Sequence, residues 1–187
     1  MRNLIAERRR KIAAVLLALV LGTVQIAMAT PDSNTVIRDD IEYYIQTDKS
    51  AYNLGEDVEM MYRVTNLRDE NVTFNFSHFP VYQFWVEQDG EQIWNAIGSR
   101  LPVLLELTLL PGESREFPDD FPPPFIWDMK VNGNFVDPGT YNVIGGLYDG
   151  PGKYDYAKVA VSIDIIPEPS TLILFGVGFS QIIRKKY

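Results

Sequence analysis

From about residue 40 to 165 the chain alternates apolar and polar side chains with a period of two, as half-buried β-strands do. Ile41, Tyr43 and Ile45 share one face of a first strand. Val58, Met60, Tyr62 and Val64 share one face of a second, with Glu59, Met61 and Arg63 pointing the other way. Val72, Phe74 and Phe76 begin a third, and Tyr82, Phe84 and Val86 resume the pattern after Pro80. Asp89-Gly90 predicts a hairpin turn into Glu91–Trp94, because glycine supplies the positive φ that a primed turn needs. Leu104–Leu110 reads as a short apolar strand closed by Pro111-Gly112. Pro138-Gly139 opens Thr140–Leu147, and Gly150-Pro151-Gly152 turns the chain into Tyr154–Ile165. No stretch keeps a 3.6-residue period. About seven to nine short strands at these spacings predict an all-β domain, an antiparallel β-sandwich.

The two ends break this pattern. Arg8–Lys11 is a basic patch, Ile12–Leu21 an apolar run, and Ala27-Met28-Ala29 has the small-x-small form that signal peptidase accepts at Ala27 and Ala29. Residues 1–29 therefore read as a signal peptide, with a mature chain starting near Thr30 and residues 30–39 as a linker. An uncleaved anchor is the competing reading, disfavoured by the Ala-x-Ala site and the polar switch at Pro31-Asp32-Ser33-Asn34.

At the other end, residues 166–187 place Pro167-Glu168-Pro169-Ser170 before an apolar segment, Leu172–Ile183, and a terminal basic cluster, Arg184, Lys185 and Lys186. This order resembles the PEP-CTERM sorting signal of exported bacterial proteins. The resemblance implies an exosortase-type membrane enzyme as a partner, a membrane-bound precursor, and delivery to the cell envelope, cell surface or extracellular matrix. Pro167 and Pro169 lack amide donors and hold the motif extended. Twelve helical residues rise only about 18 Å against a hydrocarbon core of about 30 Å. The segment thus suits a transmembrane helix inserted transiently for sorting better than a permanent anchor. A last strand or core helix is the competing reading.

Charge separates the parts further. Residues 30–166 hold 9 basic and 23 acidic side chains, net −14, although the whole chain is −8. Such acidity excludes general nucleic-acid binding, which needs clustered Lys and Arg. Absence of cysteine removes disulfides, thiol catalysis and thiolate metal sites, and a lone histidine, His78, cannot build a multi-histidine centre. No cofactor is expected.

Several pieces of the body carry a family resemblance. Tyr52-Asn-Leu-Gly55-Glu56-Asp-Val58 leads to Tyr62-Arg-Val64-Thr65-Asn66. Phe84-Trp-Val86, Asp89-Gly90, Trp94, Leu109-Leu-Pro111-Gly112-Glu113-Ser114, Trp127 and Val136-Asp-Pro138-Gly139-Thr140-Tyr141 follow in order. Together, over residues 40–165, they resemble the BsuPI domain, an immunoglobulin-like sandwich named after a bacterial intracellular proteinase inhibitor. The resemblance implies that fold and, as an activity, serine-proteinase inhibition.

Enzymatic chemistry finds little footing. His78, in Ser77-His78-Phe79-Pro80, reads as a turn or packing histidine, the serines lack a Gly-x-Ser-x-Gly elbow, and Gly145-Gly146 lacks the Lys and helix of a phosphate loop. Asp39-Asp40 and Asp119-Asp120 offer oxygen ligands for calcium, yet no loop has EF-hand spacing, and solvated loop acids are the simpler reading. Asn71 and Asn75 satisfy the glycosylation pattern and are expected on the wet face of a strand. In Phe117-Pro-Asp-Asp-Phe-Pro-Pro-Pro-Phe-Ile-Trp127 three prolines favour extended geometry. Phe121, Pro122, Pro123, Pro124 and Phe125 are the candidate interaction loop, of the stiff kind a substrate-mimicking inhibitor presents. A plain crossover between sheets, with Phe125 and Trp127 in the core, is the simpler expectation.

The sequence thus predicts a secreted, non-enzymatic binding or structural module at the envelope or exopolysaccharide matrix, where a matrix polysaccharide is a possible ligand. The alternatives are an exported serine-proteinase inhibitor and a hydrolase of matrix polymers, the latter requiring a carboxylate pair on a concave face.

Overall fold

A computed structural model describes residues 30–96, 100–118, 125–150 and 153–167. Within them lie fourteen strands: β1 (Asp32–Arg38), β2 (Ile41–Thr47), β3 (Ala51–Asn53), β4 (Val58–Asn66), β5 (Val72–Phe79), β6 (Tyr82–Gln88), β7 (Glu91–Asn95), β8 (Leu101–Leu109), β9 (Ser114–Phe117), β10 (Phe125–Trp127), β11 (Lys130–Val131), β12 (Asn134–Phe135), β13 (Gly139–Leu147) and β14 (Val159–Ile166). A single 3-10 turn, Asp155–Ala157, precedes β14. No helix among the described residues is long and apolar enough to cross a membrane. The expected signal peptide at 1–29, the expected C-terminal hydrophobic helix, Glu168, Pro169, Ser170 and the basic residues Arg184, Lys185 and Lys186 lie outside the described residues. Pro167 is described, directly after β14.

One sheet runs β1-β2-β4, with β9 and β10 both paired to the far side of β4, and a second runs β3-β14-β13-β6-β7. The β5–β8 and β11–β12 pairs are separate two-stranded sheets. Pairing is antiparallel except between β3 and β14. The period-two pattern decides what is buried: Tyr43, Ile45, Val58, Met60, Tyr62 and Val64 from the first sheet meet Tyr82, Phe84, Val86, Tyr141, Val143 and Ile163 from the second. Aromatic contacts join the two, with ring centroids 5.1 Å apart for Tyr82–Phe117, 5.5 Å for Phe84–Phe125 and 5.8 Å for Trp127–Tyr141. Such pairs add about 0.5–1.5 kcal/mol each beyond the burial of their area. Gly145 on β13 marks the closest approach, since a Cβ there would lie 3.0 Å from the Tyr62 ring and 3.2 Å from Ile45. These layers are consistent with a β-sandwich. Tyr141 Oη donates to Asp137 O over 2.5 Å, four residues upstream, as the corner tyrosines of sandwiches do.

Two of the family-like motifs turn out to be the same turn. In Asn53-Leu54-Gly55-Glu56 and Leu110-Pro111-Gly112-Glu113 the third residue is a glycine at φ +90° and +75°, and the fourth donates its N–H to the carbonyl of the first at 3.0 and 2.9 Å. Each glutamate then accepts from the first residue's N–H, at 3.1 Å for Glu56 and 2.7 Å for Glu113. A type II turn with Gly at its third position accounts for the geometry. Buried Asn66 binds the second turn to β8 through Nδ2 to Leu109 O, 3.0 Å.

The stretch 30–39, expected as a linker, is instead mostly strand. β1 pairs with β2 along its whole length, from Asp32 opposite Thr47 to Arg38 opposite Ile41. Asp39 and Asp40, at φ 51° and 54°, form the two-residue turn between them. β1 is an exposed edge strand whose side chains are largely polar, so backbone pairing forms it and hydrophobic alternation does not reveal it. The β11–β12 hairpin, turned by Asn132 and Gly133 at φ 53° and 82°, was also unpredicted, although Asn-Gly is the strongest short hairpin signal.

Candidate functional site

His78 does not occupy a turn; it lies in β5 and pairs with Pro102 of β8. Beside it, the fold brings Asp149 from the loop after β13, 72 residues away from Ser77. Asp149 Oδ1 accepts from Ser77 N at 2.7 Å and from Ser77 Oγ at 2.8 Å, with His78 Nδ1 at 3.3 Å. Its Oδ2 accepts from Lys153 Nζ at 2.5 Å. Burial of the Asp149 side chain, 2% exposed, pushes its carboxyl up. The hydrogen bonds from Lys153, Ser77 and His78 outweigh that and hold it well below the usual carboxylate range.

A Ser, a His and an Asp are therefore in contact, but not as a proton relay. Such a relay needs the carboxylate on one ring nitrogen and the hydroxyl on the other. Here Ser77 Oγ, at 3.0 Å, and Asp149 both approach Nδ1, and Ser77 Oγ donates directly to the carboxylate. The cluster ties Asp149 and Lys153 to β5. Tyr154 completes the seal: its hydroxyl accepts from Asn75 N at 3.0 Å and donates to Asn75 O at 2.7 Å. Sequence reading noted His78 but had no means of pairing it with Asp149, because the contact exists only once the chain after β13 lies against β5.

The expected crossover between sheets at Phe117–Trp127 is not found. β9 pairs Phe117 with Tyr62, and β10 pairs Phe125 with Met60 and Trp127 with Val58, so the chain leaves and rejoins the same side of β4. Phe117 and Trp127 are 1% and 0% exposed, which anchors both ends of the excursion in the core. Phe125 is half-buried against Phe84. Phe121, Pro122, Pro123 and Pro124 lie outside the described residues, as do Asp119 and Asp120. Asp39 and Asp40 line an open hollow with Leu67, Arg68, Asp69 and Glu70. Among the described residues no three acidic or histidine side chains converge on a metal-sized point. Asn75 is exposed on the wet side of β5, as expected, while Asn71, also exposed, lies just before the strand.

The largest departure from sequence is β8. Leu104–Leu110 was expected as an ordinary strand closed by a turn, but β8 begins at Leu101 and lies open to solvent. Leu101 is 68% exposed, Val103 41% and Leu104 86%, while Leu105 and Leu107 are only half-buried. Contiguous apolar surface of this kind marks interaction sites in soluble proteins.

The fold and these features define an all-β domain, consistent with a β-sandwich, that presents an apolar edge. The family model described as "BsuPI: Intracellular proteinase inhibitor" matches residues 45–147, more than half of the chain, and the chain belongs to that family. No curated protein matches it. Among solved structures, the chain is similar to the β-glucosidase EmGH1 from Erythrobacter marinus, at 15% identity over 71% of this chain and 16% of that one, with a TM-score of 0.39. It is similar to the CARDB domain of the PF1109 protein from Pyrococcus furiosus, at 14% identity over 75% of this chain and 98% of that one, also with a TM-score of 0.39. The sporulation control protein Spo0M from Bacillus subtilis matches at 17% identity over 75% and 50%, with a TM-score of 0.33. The chain spans 16% of the glucosidase, a small part of that protein's length.

Proposed function

We propose that this protein is a non-enzymatic binding module, exported by its N-terminal signal and sorted through Pro167-Glu168-Pro169 to the bacterial envelope or matrix. One observation carries the binding reading: the domain's polar cluster at Ser77, His78 and Asp149 is consumed in holding a loop, whereas its apolar strand β8 faces solvent. Immunoglobulin-like architecture suits the role, because such sandwiches bind through loops and edge strands. The test is affinity capture from the native envelope with the mature protein, comparing wild type with a Leu101→Ser, Leu104→Ser variant. A ligand held equally by both removes β8 from the reading. Replacing Pro167, Glu168 and Pro169 with alanine is expected to leave precursor in the membrane; unchanged processing contradicts the sorting assignment.

Family membership favours a second reading, inhibition of a serine proteinase, with the excursion between Phe117 and Phe125 as the presenting loop. The family description is intracellular, so an exported member would meet a different proteinase. Slowed turnover in a proteinase panel, lost when Pro122, Pro123 and Pro124 become glycine, supports this reading. Full activity of every proteinase in the panel opposes it.

A further inference from the structure

β5 and β8 make a two-stranded sheet whose two outer edges differ. The β5 edge is closed by side chains: Tyr154 Oη satisfies both backbone groups of Asn75, and Asp149 accepts from Ser77 N. Those contacts also orient the ladder. The N–H and C=O of Asn75 point away from β8, so Asn75 and its partner Glu106 form a non-hydrogen-bonded pair. Thr73 and Thr108, two positions along, are of the same type, and their hydroxyls meet at 2.9 Å, as the closer side chains of such pairs allow. Glu106 and Thr108 therefore aim their own N–H and C=O groups outward. Beyond Leu105 the register shifts, two β5 residues spanning three of β8, so the regular alternation is followed no further than Glu106. Among the described residues no strand pairs with that side of β8.

Other edges are blunted. β1 is polar and carries Asp32 and Arg38, β3 has three residues and β7 five. β8 has Pro102 and a register shift in its first half, but from Leu105 to Leu109 it pairs regularly with β5 and carries one charge, Glu106. Long apolar edges are what natural sheets avoid unless something pairs with them.

We propose that the free edge of β8 captures an extended basic polypeptide by strand addition. This deepens the binding-module reading and rests on it. Three features fix the partner's chemistry. Outward backbone groups at Glu106 and Thr108 require another backbone in extended form. Half-buried Leu105 and Leu107 offer an apolar strip to every second side chain of the incoming strand. Exposed Glu106, in a body of net −14, selects Lys or Arg on the alternate positions and disfavours a second copy of this chain, which carries the same charge.

The probe is an acetylated nine-residue peptide alternating valine with lysine and threonine, titrated against the 15N-labelled full chain. Amide shifts are expected at Glu106 and Thr108, with slowed hydrogen exchange there. Thr108→Pro removes one outward donor and the hydroxyl contact with Thr73 while leaving the backbone bonds to β5 in place, and is expected to weaken binding about tenfold, with Thr108→Val as the control for the lost hydroxyl; Glu106→Lys is expected to weaken binding as much as Thr108→Pro. A peptide N-methylated at alternate residues tests the point without altering the protein and is expected not to bind. Equal affinity for the methylated peptide, or shifts confined to other strands, overturns the proposal. Concentration-dependent self-association protecting β8 overturns it in favour of a homodimer. If the peptide fails while envelope capture persists, strand addition is wrong and the binding-module reading stands; if the peptide binds and envelope capture fails, the reverse holds.

Discussion

The two edges of the β5–β8 sheet carry similar amounts of apolar side chain and have opposite fates. On β5, Phe74 and Phe76 are 4% and 2% exposed, and the outer backbone is covered by Tyr154, Asp149 and Lys153. On β8, Leu104 is 86% exposed and nothing among the described residues covers the outer backbone. The difference teaches where this domain spends its polar groups. Those that resemble a catalytic set are used to close one edge, and the opposite edge is left able to pair.

Breaking the closed edge should cost the most. Asp149→Ala leaves the Ser77 N–H and hydroxyl without their charged acceptor, while half-exposed Lys153 keeps Asn75 O, and the loss of these two hydrogen bonds is expected to cost about 3 kcal/mol. Urea unfolding should show that loss; a change below about 1 kcal/mol would mean that Lys153 and Tyr154 hold their side of β5 without Asp149. Tyr154→Phe removes one hydroxyl serving two backbone groups and is expected to cost about 1–3 kcal/mol, with faster exchange of the Asn75 amide. A smaller, pH-dependent effect follows from the depressed Asp149 carboxyl. Its folded value lies below its unfolded value of about 3.9, so its contribution is complete above that pH and is lost as pH falls toward the folded value. Wild type should therefore lose stability more steeply than Asp149→Asn as pH drops below about 4. Smallest of all, Leu101→Ser with Leu104→Ser on the open edge should change stability by no more than about 0.5 kcal/mol while abolishing envelope capture.

Much of this was legible in the chain. Alternation placed Tyr43, Tyr62, Phe84 and their neighbours in the core, and Asp89-Gly90 and Pro111-Gly112 fell where turns occur, because burial on one face and positive φ leave local signatures. β1 left none: an edge strand held by backbone pairing has no apolar face to show. Nor could β8 be separated from an ordinary core strand. Leu, Val and Leu read alike whether covered or not, and exposure depends on which strand lies alongside. The same limit hid Asp149, whose partner sits in a strand 72 residues away.

Native-state hydrogen exchange of single backbone amides tests the contrast most directly. Asn75 and Ser77, bound to Tyr154 and Asp149, should be protected to near the global stability, while Glu106 and Thr108 on the facing strand exchange close to the rate of unstructured peptide. Equal protection on both strands would show the β8 edge already covered, and would contradict the claim that it is the surface this module offers to a partner.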